Sequence, residues 1–506
     1  MGKSSTKPQK GFLYFIEKAG NALPHPALLF GIMAVAVLLL SALGSLLGWG
    51  GVHPATGEMV ESVNLLSREG IHRIILEMVT NYTSFAPLGI VMVSLLGIGV
   101  AETSGLIKAA INSLLVKAPA KLITIMVIFT GIISSIASDM GYVLIIPLAG
   151  VIFHSLGRNP MVGLAAAFAG VSAGFSANII ITPLDPMLAG LSTEAAHIVD
   201  ASYYVEPTAN YFFLAAATFV LSIVGAIVTV KWVEPALGKY TGNVEREEIV
   251  QPTDLERKGL RRAGLVFLGW FILFAIGLIP ENGILRGNDG TLLSTPLLRG
   301  IVTLLFLIGV SAGAVYGFTV GKFKKAEDII IGMNDNFKAL AVYLVLTFFA
   351  AQFVAWFRWS NLGMLLAIGG AGTLESLKLG IIPLILIFTV FTGFLNIFIG
   401  SASAKWAILA PVYIPIFMLL GYSPELAQAV YHAGDNATNI ISPLLPYFAL
   451  IIVYYQKYDK NAGIGTIIAS MMPYAITFFI AWVGLLITWV LLRLPLGPGV
   501  SMYYTM

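Results

Sequence analysis

Three aspartates, Asp139, Asp185 and Asp435, stand inside long apolar stretches, each beside hydroxyl, amide or proline residues that interrupt the stretch. A carboxylate at membrane depth is costly to bury, and its usual work is to bind a cation or a proton. Around these acids the same polar text occurs twice. The first half carries Phe129-Thr130-Gly131, then Leu156-Gly157 with Pro160, then Gly174 to Asn178 and Thr182-Pro183-Leu184-Asp185-Pro186. The second half carries Phe391-Thr392-Gly393, then Leu420-Gly421 with Pro424, then Gly434-Asp435-Asn436, Thr438-Asn439 and Ser442-Pro443-Leu444-Leu445-Pro446. Paired interruptions at corresponding places in two halves of a membrane protein point to a transport site.

Each candidate has a plainer reading beside the functional one. Asp139 precedes a half-helix and serves either as a cap or as a cation or proton site. Asp185 and Asp435 lie beside backbone breaks and are assigned to ion or proton coupling, the plainer reading being a helix cap or a solvated position near an interface. Asn178, Thr182, Asn396, Thr438 and Asn439, with carbonyls freed by the breaks, are hard oxygen ligands of the kind that suits Na⁺, expected at Asn396 and Asp435. His432 lies one helical turn before Asp435, so the two can share a face; the alternative is a packing histidine. Lys405 either pairs with a substrate carboxylate or Asp435, or extends towards the outer water layer, which is the expectation here. Trp406 is a stacking platform for an aromatic substrate or an anchor at lipid level. Ser403 joins the substrate set.

The elements that must hold these residues are membrane helices. Hydrophobic residues make up 58% of the 506, charged residues 11%, and mean hydropathy is +0.88. A soluble chain carries about twice that charged fraction. The net charge of +3 is spread over short loops, which leaves no basic patch for nucleic acid, and the lack of cysteine removes thiol and disulfide chemistry. Lys3, Lys7, Lys10 and Lys18 precede the first span without a cleavage site, as in a cytoplasmic tail.

The expected fold is an all-α membrane protein with nine transmembrane helices: about 26 to 49, 85 to 105, 160 to 200, 208 to 232, 263 to 280, 299 to 320, 337 to 358, 425 to 455 and 463 to 493. Two further apolar stretches, about 121 to 157 and 377 to 421, break midway and read as re-entrant hairpins. With the N-terminus inside and the C-terminus outside, Lys and Arg favour the cytoplasmic side by roughly three to one. Counting either hairpin as a full span destroys that bias. The hairpins then open to opposite sides, defining inverted-topology repeats over 85–232 and 337–506, with 1–84 as tail, first span and external loop, and 233–336 as cytoplasmic linker and scaffold spans.

Enzyme signatures are lacking: there is no phosphate loop and no His-Glu-x-x-His. Gly-x-Ser-x-Gly occurs at Gly170 to Gly174 and Gly309 to Gly313, inside predicted spans, where small residues for close helix packing are the reading. An ion gradient remains as the energy source.

The sequence resembles the p-aminobenzoyl-glutamate transporter (AbgT) family of bacteria. The likeness runs nearly end to end, through Asn21 to Pro26, Phe85 to Gly89, Ala177 to Asp185, Gly190 to Ala196, Pro280 to Arg286, Ser401 to Pro411 and Leu494 to Pro498. It implies a homodimer, nine spans and two opposed hairpins per subunit, an outer scaffold and an inner transport core. It also implies uptake of p-aminobenzoyl-glutamate or efflux of sulfonamides, driven by Na⁺ or H⁺. The functional positions it implies are Asp185, Asn396, Ser403, Trp406, Pro424, Asp435 and Pro443. His432 stands where the family usually has arginine, which exchanges a fork-shaped permanent cation for a group that titrates near neutrality. This favours a substrate other than a dicarboxylate, or proton linkage through His432. The expectation is a bacterial inner-membrane secondary transporter of a small anionic compound, with no cofactor beyond the coupling ion. Drug efflux in the same fold is the alternative, and an ion channel the minor one.

Overall fold

A computed structural model of the protein describes residues 24–54, 56–116, 118–137, 141–246, 251–287, 295–442 and 444–505. Among these, eight helices are long and apolar enough to cross a membrane: Pro26–Leu46, Arg68–Ser104, Tyr211–Leu237, Asp254–Leu278, Ile301–Val320, Ala341–Trp359, Ala402–Leu419 and Ile464–Leu491. Other expected spans and hairpin arms are shorter helices separated by irregular backbone.

The repeated sequence text has a direct structural meaning. Gly157 and Gly421 have φ of 75° and 80°, a left-handed backbone that glycine tolerates without steric cost. Two residues later Asn159 and Ser423 accept hydrogen bonds from the backbone N–H groups of Met161 and Leu426. Pro160 and Pro424 then occupy the first helical position, where a missing N–H costs nothing. Each motif thus ends one helix and starts the next within a few residues.

The order of elements also repeats. In the first half Ile123–Ile133 and Ile146–Ser155 flank a break, Pro160–Phe168 is followed by irregular backbone before Leu184–Ala196, and Tyr211–Val228 closes the set. In the second half Ile381–Asn396 and Ala402–Leu419 flank a break, Pro424–Thr438 is interrupted before Phe448–Gln456, and Ile464–Leu491 closes the set. The two sets pack on each other, Ala402–Leu419 against Leu184–Ala196 and Tyr211–Val228 against Ile464–Leu491.

Beside them, Ala86–Ser104 packs against Ile301–Val320, Asp254–Leu278 against the same helix, and Pro26–Leu46 against Glu327–Trp359. A separate small apolar cluster of Ala101, Leu106, Ala109, Ala263, Ala312 and Tyr316 forms there. The outer helices keep many apolar side chains exposed, such as Leu265, Phe271 and Ile276, as a lipid-facing surface requires.

The structure adds elements that hydropathy did not predict. The loop after the first span holds a short hairpin, β1 (Gly50–Val52) with β2 (Met59–Glu61), and the amphipathic helix Arg68–Thr83 capped by Ser67. Leu106–Val116 and Leu362–Ser376 are helices where only connecting segments were expected.

Both Gly-x-Ser-x-Gly segments are packing devices, as the sequence implied. A Cβ on Gly170 would lie 2.5 Å from the Ile128 carbonyl oxygen, and one on Gly309 would lie 2.5 Å from the Gly97 carbonyl oxygen. Ser311 Oγ accepts from Trp270 Nε1 at 3.0 Å and donates to the Leu307 carbonyl at 2.7 Å. Gly309→Ala should therefore cost about 1–3 kcal/mol by forcing two backbones apart. Gly264, also in a helix but with nothing near its would-be Cβ, should accept alanine at no cost. Thermal unfolding of the two purified variants checks the contrast.

Candidate functional site

One cavity of about 340 Å³ is bounded by all four interruptions. Ser135 comes from the break after Ile123–Ile133, Gly400 to Ser403 from the break after Ile381–Asn396, Phe175, Pro183 and Leu184 from the break before Leu184–Ala196, and Asn439 with Leu445 to Tyr447 from that before Phe448–Gln456. Its size falls within the roughly 300–1,000 Å³ usual for small-molecule sites. Tyr142 and Tyr447 line it as a stacked pair, with ring centroids 4.4 Å apart and planes at 11°.

The wall offers positive potential where Ala402–Leu419 begins. Ser401 caps this helix by accepting from the Ala404 N–H at 3.4 Å, and Ala402 and Ser403 line the cavity beside the positive dipole end. At Leu184–Ala196 the arrangement differs. Asp185 Oδ2 accepts from the Thr182 N–H at 2.6 Å, the Thr182 hydroxyl at 2.8 Å and Asn178 Nδ2 at 3.2 Å. That carboxylate complements its own helix start and braces the irregular backbone. The helix start at Ala402 thus keeps its positive end free of a carboxylate of its own.

Behind the Ser403 wall lies a buried ion pair. Lys405, 1% exposed, donates from Nζ to Asp435 Oδ1 and to Asn396 Oδ1. Its extension to outer water is thus corrected: the side chain turns inward, because Asp435, fully buried at the same depth, needs a counter-charge. Tyr431, one turn before Asp435, shares its one hydroxyl proton between the Ala402 carbonyl at 2.6 Å and Asp435 Oδ1 at 3.1 Å. Asn396 Nδ2 in turn donates to Thr438 Oγ1 and Asn439 Oδ1, each at 2.8 Å. The oxygens expected to hold Na⁺ are largely committed to protein donors. Asp435 Oδ2 and Asn178 Oδ1 are the exceptions, with no hydrogen-bond partner among the described residues.

A second buried chain runs beside the pair. Trp406 Nε1 donates to Ser192 Oγ at 3.0 Å, and the Ser192 hydroxyl donates to Gln428 Oε1 at 2.7 Å. Gln428 Nε2 then faces His432 Nε2 at 3.4 Å. An indole N–H only donates, so each proton along the chain is directed and His432 Nε2 is left as an acceptor. His432 does not hydrogen-bond Asp435, although they share a helix; Lys405 takes that place. Trp406 is fully buried and packs on Tyr431 at 4.6 Å between centroids, so in this structure it is neither a lipid anchor nor an exposed platform.

The remaining expected residues scatter. Pro424 starts the helix that ends near Asn439, roughly 20 Å away by helical rise. Asp139 and Pro443 lie outside the described residues. Asn178 Nδ2 donates to the Ser176 carbonyl at 3.0 Å, while Ser176 Oγ donates to Asn436 Oδ1 at 3.1 Å and Asn439 Nδ2 to the Ser172 carbonyl at 3.1 Å. The last two bonds tie the first-half break to the interrupted helix of the second half. Ser192, Gln428, Tyr431, Tyr142 and Tyr447 were missed by sequence reasoning. Only Tyr431 and Gln428 carried a signal, each four residues before a singled-out polar residue on one helix.

Residues 11–504 match the AbgT putative transporter family. The chain belongs to that family. An AbgT relative, the p-aminobenzoyl-glutamate transport protein of Escherichia coli (strain K12), is 37% identical over 502 residues, covering 99% of each chain. The solved Alcanivorax borkumensis YdaH transporter superposes with a TM-score of 0.90 at 43% identity, covering 94% of this chain and all of that one. Neisseria gonorrhoeae MtrF, described as illuminating a class of antimetabolite efflux pumps, superposes with a TM-score of 0.92 at 46% identity, covering 97% and 100%. The AbgT assignment makes this a multi-pass membrane transporter, in agreement with its apolar helices.

Proposed function

We propose that the chain is a secondary active transporter of p-aminobenzoyl-glutamate or a related small anionic aromatic or aminoacyl compound, coupled to a Na⁺ or H⁺ gradient. The observation that carries this reading is the single cavity on which all four helix interruptions converge. Such convergence is costly unless the freed backbone groups meet a solute or water. Stacked Tyr142 and Tyr447 suit an aromatic ring, and the capped helix start at Ser401 suits a carboxylate.

In this reading the two broken pairs, 123–155 and 381–419, are re-entrant hairpins opening to opposite faces of inverted repeats. The first, fifth and sixth spans form the outer scaffold, and the core moves against it to give alternating access. Two subunits associate in the bacterial inner membrane, with the N-terminus cytoplasmic and the C-terminus external. The chain does no covalent chemistry on its cargo. A second direction, efflux of sulfonamide-type antimetabolites, is favoured by the 46% identity to MtrF.

Right-side-out and inside-out vesicles loaded with labelled p-aminobenzoyl-glutamate or a sulfonamide, under imposed Na⁺ or H⁺ gradients, test both. Saturable, gradient-dependent flux is expected, and its sidedness separates import from export. Flux that neither saturates nor follows either gradient overturns the transporter reading.

A further inference from the structure

We propose that Lys405 is a tethered counter-ion. It holds the cation position at Asp435 and Asn396 when no Na⁺ is bound, and swings to the substrate's carboxylate when Na⁺ enters. This rests on the reading of the cavity as an anion-transport site.

The Lys405 ammonium takes the oxygens Asn396 Oδ1 and Asp435 Oδ1, the pair that hard-ligand reasoning picks for a cation. Lys405 and Asp435 are 1% and 0% exposed. A pair so enclosed tolerates one positive charge on its carboxylate and no net surplus. A sodium ion entering at Asp435 brings a second positive charge, so the ammonium must leave or find an anion of its own.

Its stem allows the second outcome. Lys405 sits in the first turn of Ala402–Leu419, two residues past Ser403 in the cavity wall, on a flexible four-carbon chain. An ammonium released from Asp435 can therefore follow the helix start to the place where a substrate carboxylate meets the Ser401 cap. Asp435 Oδ2, fully buried and without a hydrogen-bond partner among the described residues, is the oxygen left for the incoming ion.

The consequence is coupling by charge balance. Counted over Asp435, Lys405 and the one substrate carboxylate that meets the ammonium, Na⁺ alone leaves one excess positive charge and that carboxylate alone leaves one excess negative charge; a second carboxylate of the substrate stays outside this count. Together Na⁺ and that carboxylate restore the balance that the ion pair has without them. Each ligand thus raises the affinity of the other, as linkage requires.

The experiment is thermal unfolding of the purified full chain in NaCl against choline chloride of equal ionic strength, with and without p-aminobenzoyl-glutamate. For the wild type, NaCl should raise the unfolding temperature clearly only when the substrate is present. For Lys405→Met, NaCl alone should raise the unfolding temperature, at concentrations about tenfold or more below any at which the wild type responds without substrate, because no internal competitor remains. In the double variant Asp435→Asn/Lys405→Met the Na⁺ response should vanish, which locates the ion.

A wild type stabilised equally by Na⁺ with and without substrate overturns the proposal, as does a Lys405→Met protein indifferent to Na⁺. If Lys405→Met does not fold, the wild-type comparison decides alone. Stabilisation by substrate with no Na⁺ dependence refutes the swap yet leaves the transporter reading intact. Absence of any substrate effect, with Lys405→Met still gaining a Na⁺ response, refutes the assigned substrate and the carboxylate half of the swap, and upholds only the competition at Asp435.

Discussion

Replacing Asp435 with asparagine should abolish gradient-driven accumulation of substrate and, at the same time, lower the stability of the purified protein. The two losses share one cause. Asparagine can still present an oxygen to Lys405 Nζ, but it supplies no charge, and the ammonium is then buried without a counter-ion. Breaking a buried pair from one side typically costs about 3–5 kcal/mol, whereas replacing both partners by apolar groups is often neutral. Asp435→Asn/Lys405→Met should therefore regain most of the lost stability while still failing to transport. Uptake into proteoliposomes and thermal unfolding, run on both single variants and the double variant, make a cycle that isolates the pair energy. Wild-type uptake by Asp435→Asn would remove the carboxylate from the coupling step.

The variant couples function to stability in a way that the sequence did not reveal. Its repeated text and hydropathy disclosed the long helices and the interruptions, because proline, glycine and capping residues act within a few positions of themselves. Leu156-Gly157 with Pro160 and Leu420-Gly421 with Pro424 are such local devices, and their φ values and caps follow from residue type alone. Contacts between distant segments were not legible in the same way. Lys405 at a helix start beside small residues looks free to extend outward. Only the placement of Asn396 and Asp435, 9 and 30 residues away, turns it inward.

Ser192 shows the same limit. A serine in an apolar helix has many roles, and only the distant Trp406 and Gln428, separated from it by 214 and 236 residues, make it the joint between three elements. The amphipathic helix Arg68–Thr83 escaped for another reason. Its many polar residues mask it from a search for continuous apolar spans.

Asp185→Ala should disable transport by a different route, through collapse of the irregular backbone between Gly174 and Pro183. One carboxylate oxygen gathers the Thr182 N–H, the Thr182 hydroxyl and the Asn178 amide. Alanine leaves all three donors buried, and bonds to a charged acceptor are worth about 1.5–3 kcal/mol each before any relaxation. Since the donors overlap on one oxygen and can partly re-pair, a net loss of about 3 kcal/mol is expected. The break lines the cavity through Phe175, Pro183 and Leu184, so substrate binding should fall with stability. Asp185→Asn keeps a neutral acceptor in the same place and should restore much of the stability, because its oxygen can still receive the Thr182 donors. If it also restores gradient-driven uptake, Asp185 is a brace for the cavity wall. If the protein is stable but uncoupled, the charge itself takes part in carrying the ion. Unfolding curves and proteoliposome uptake on Asp185→Ala and Asp185→Asn separate these outcomes, and unchanged stability in Asp185→Ala would show that the three hydrogen bonds do not hold the loop.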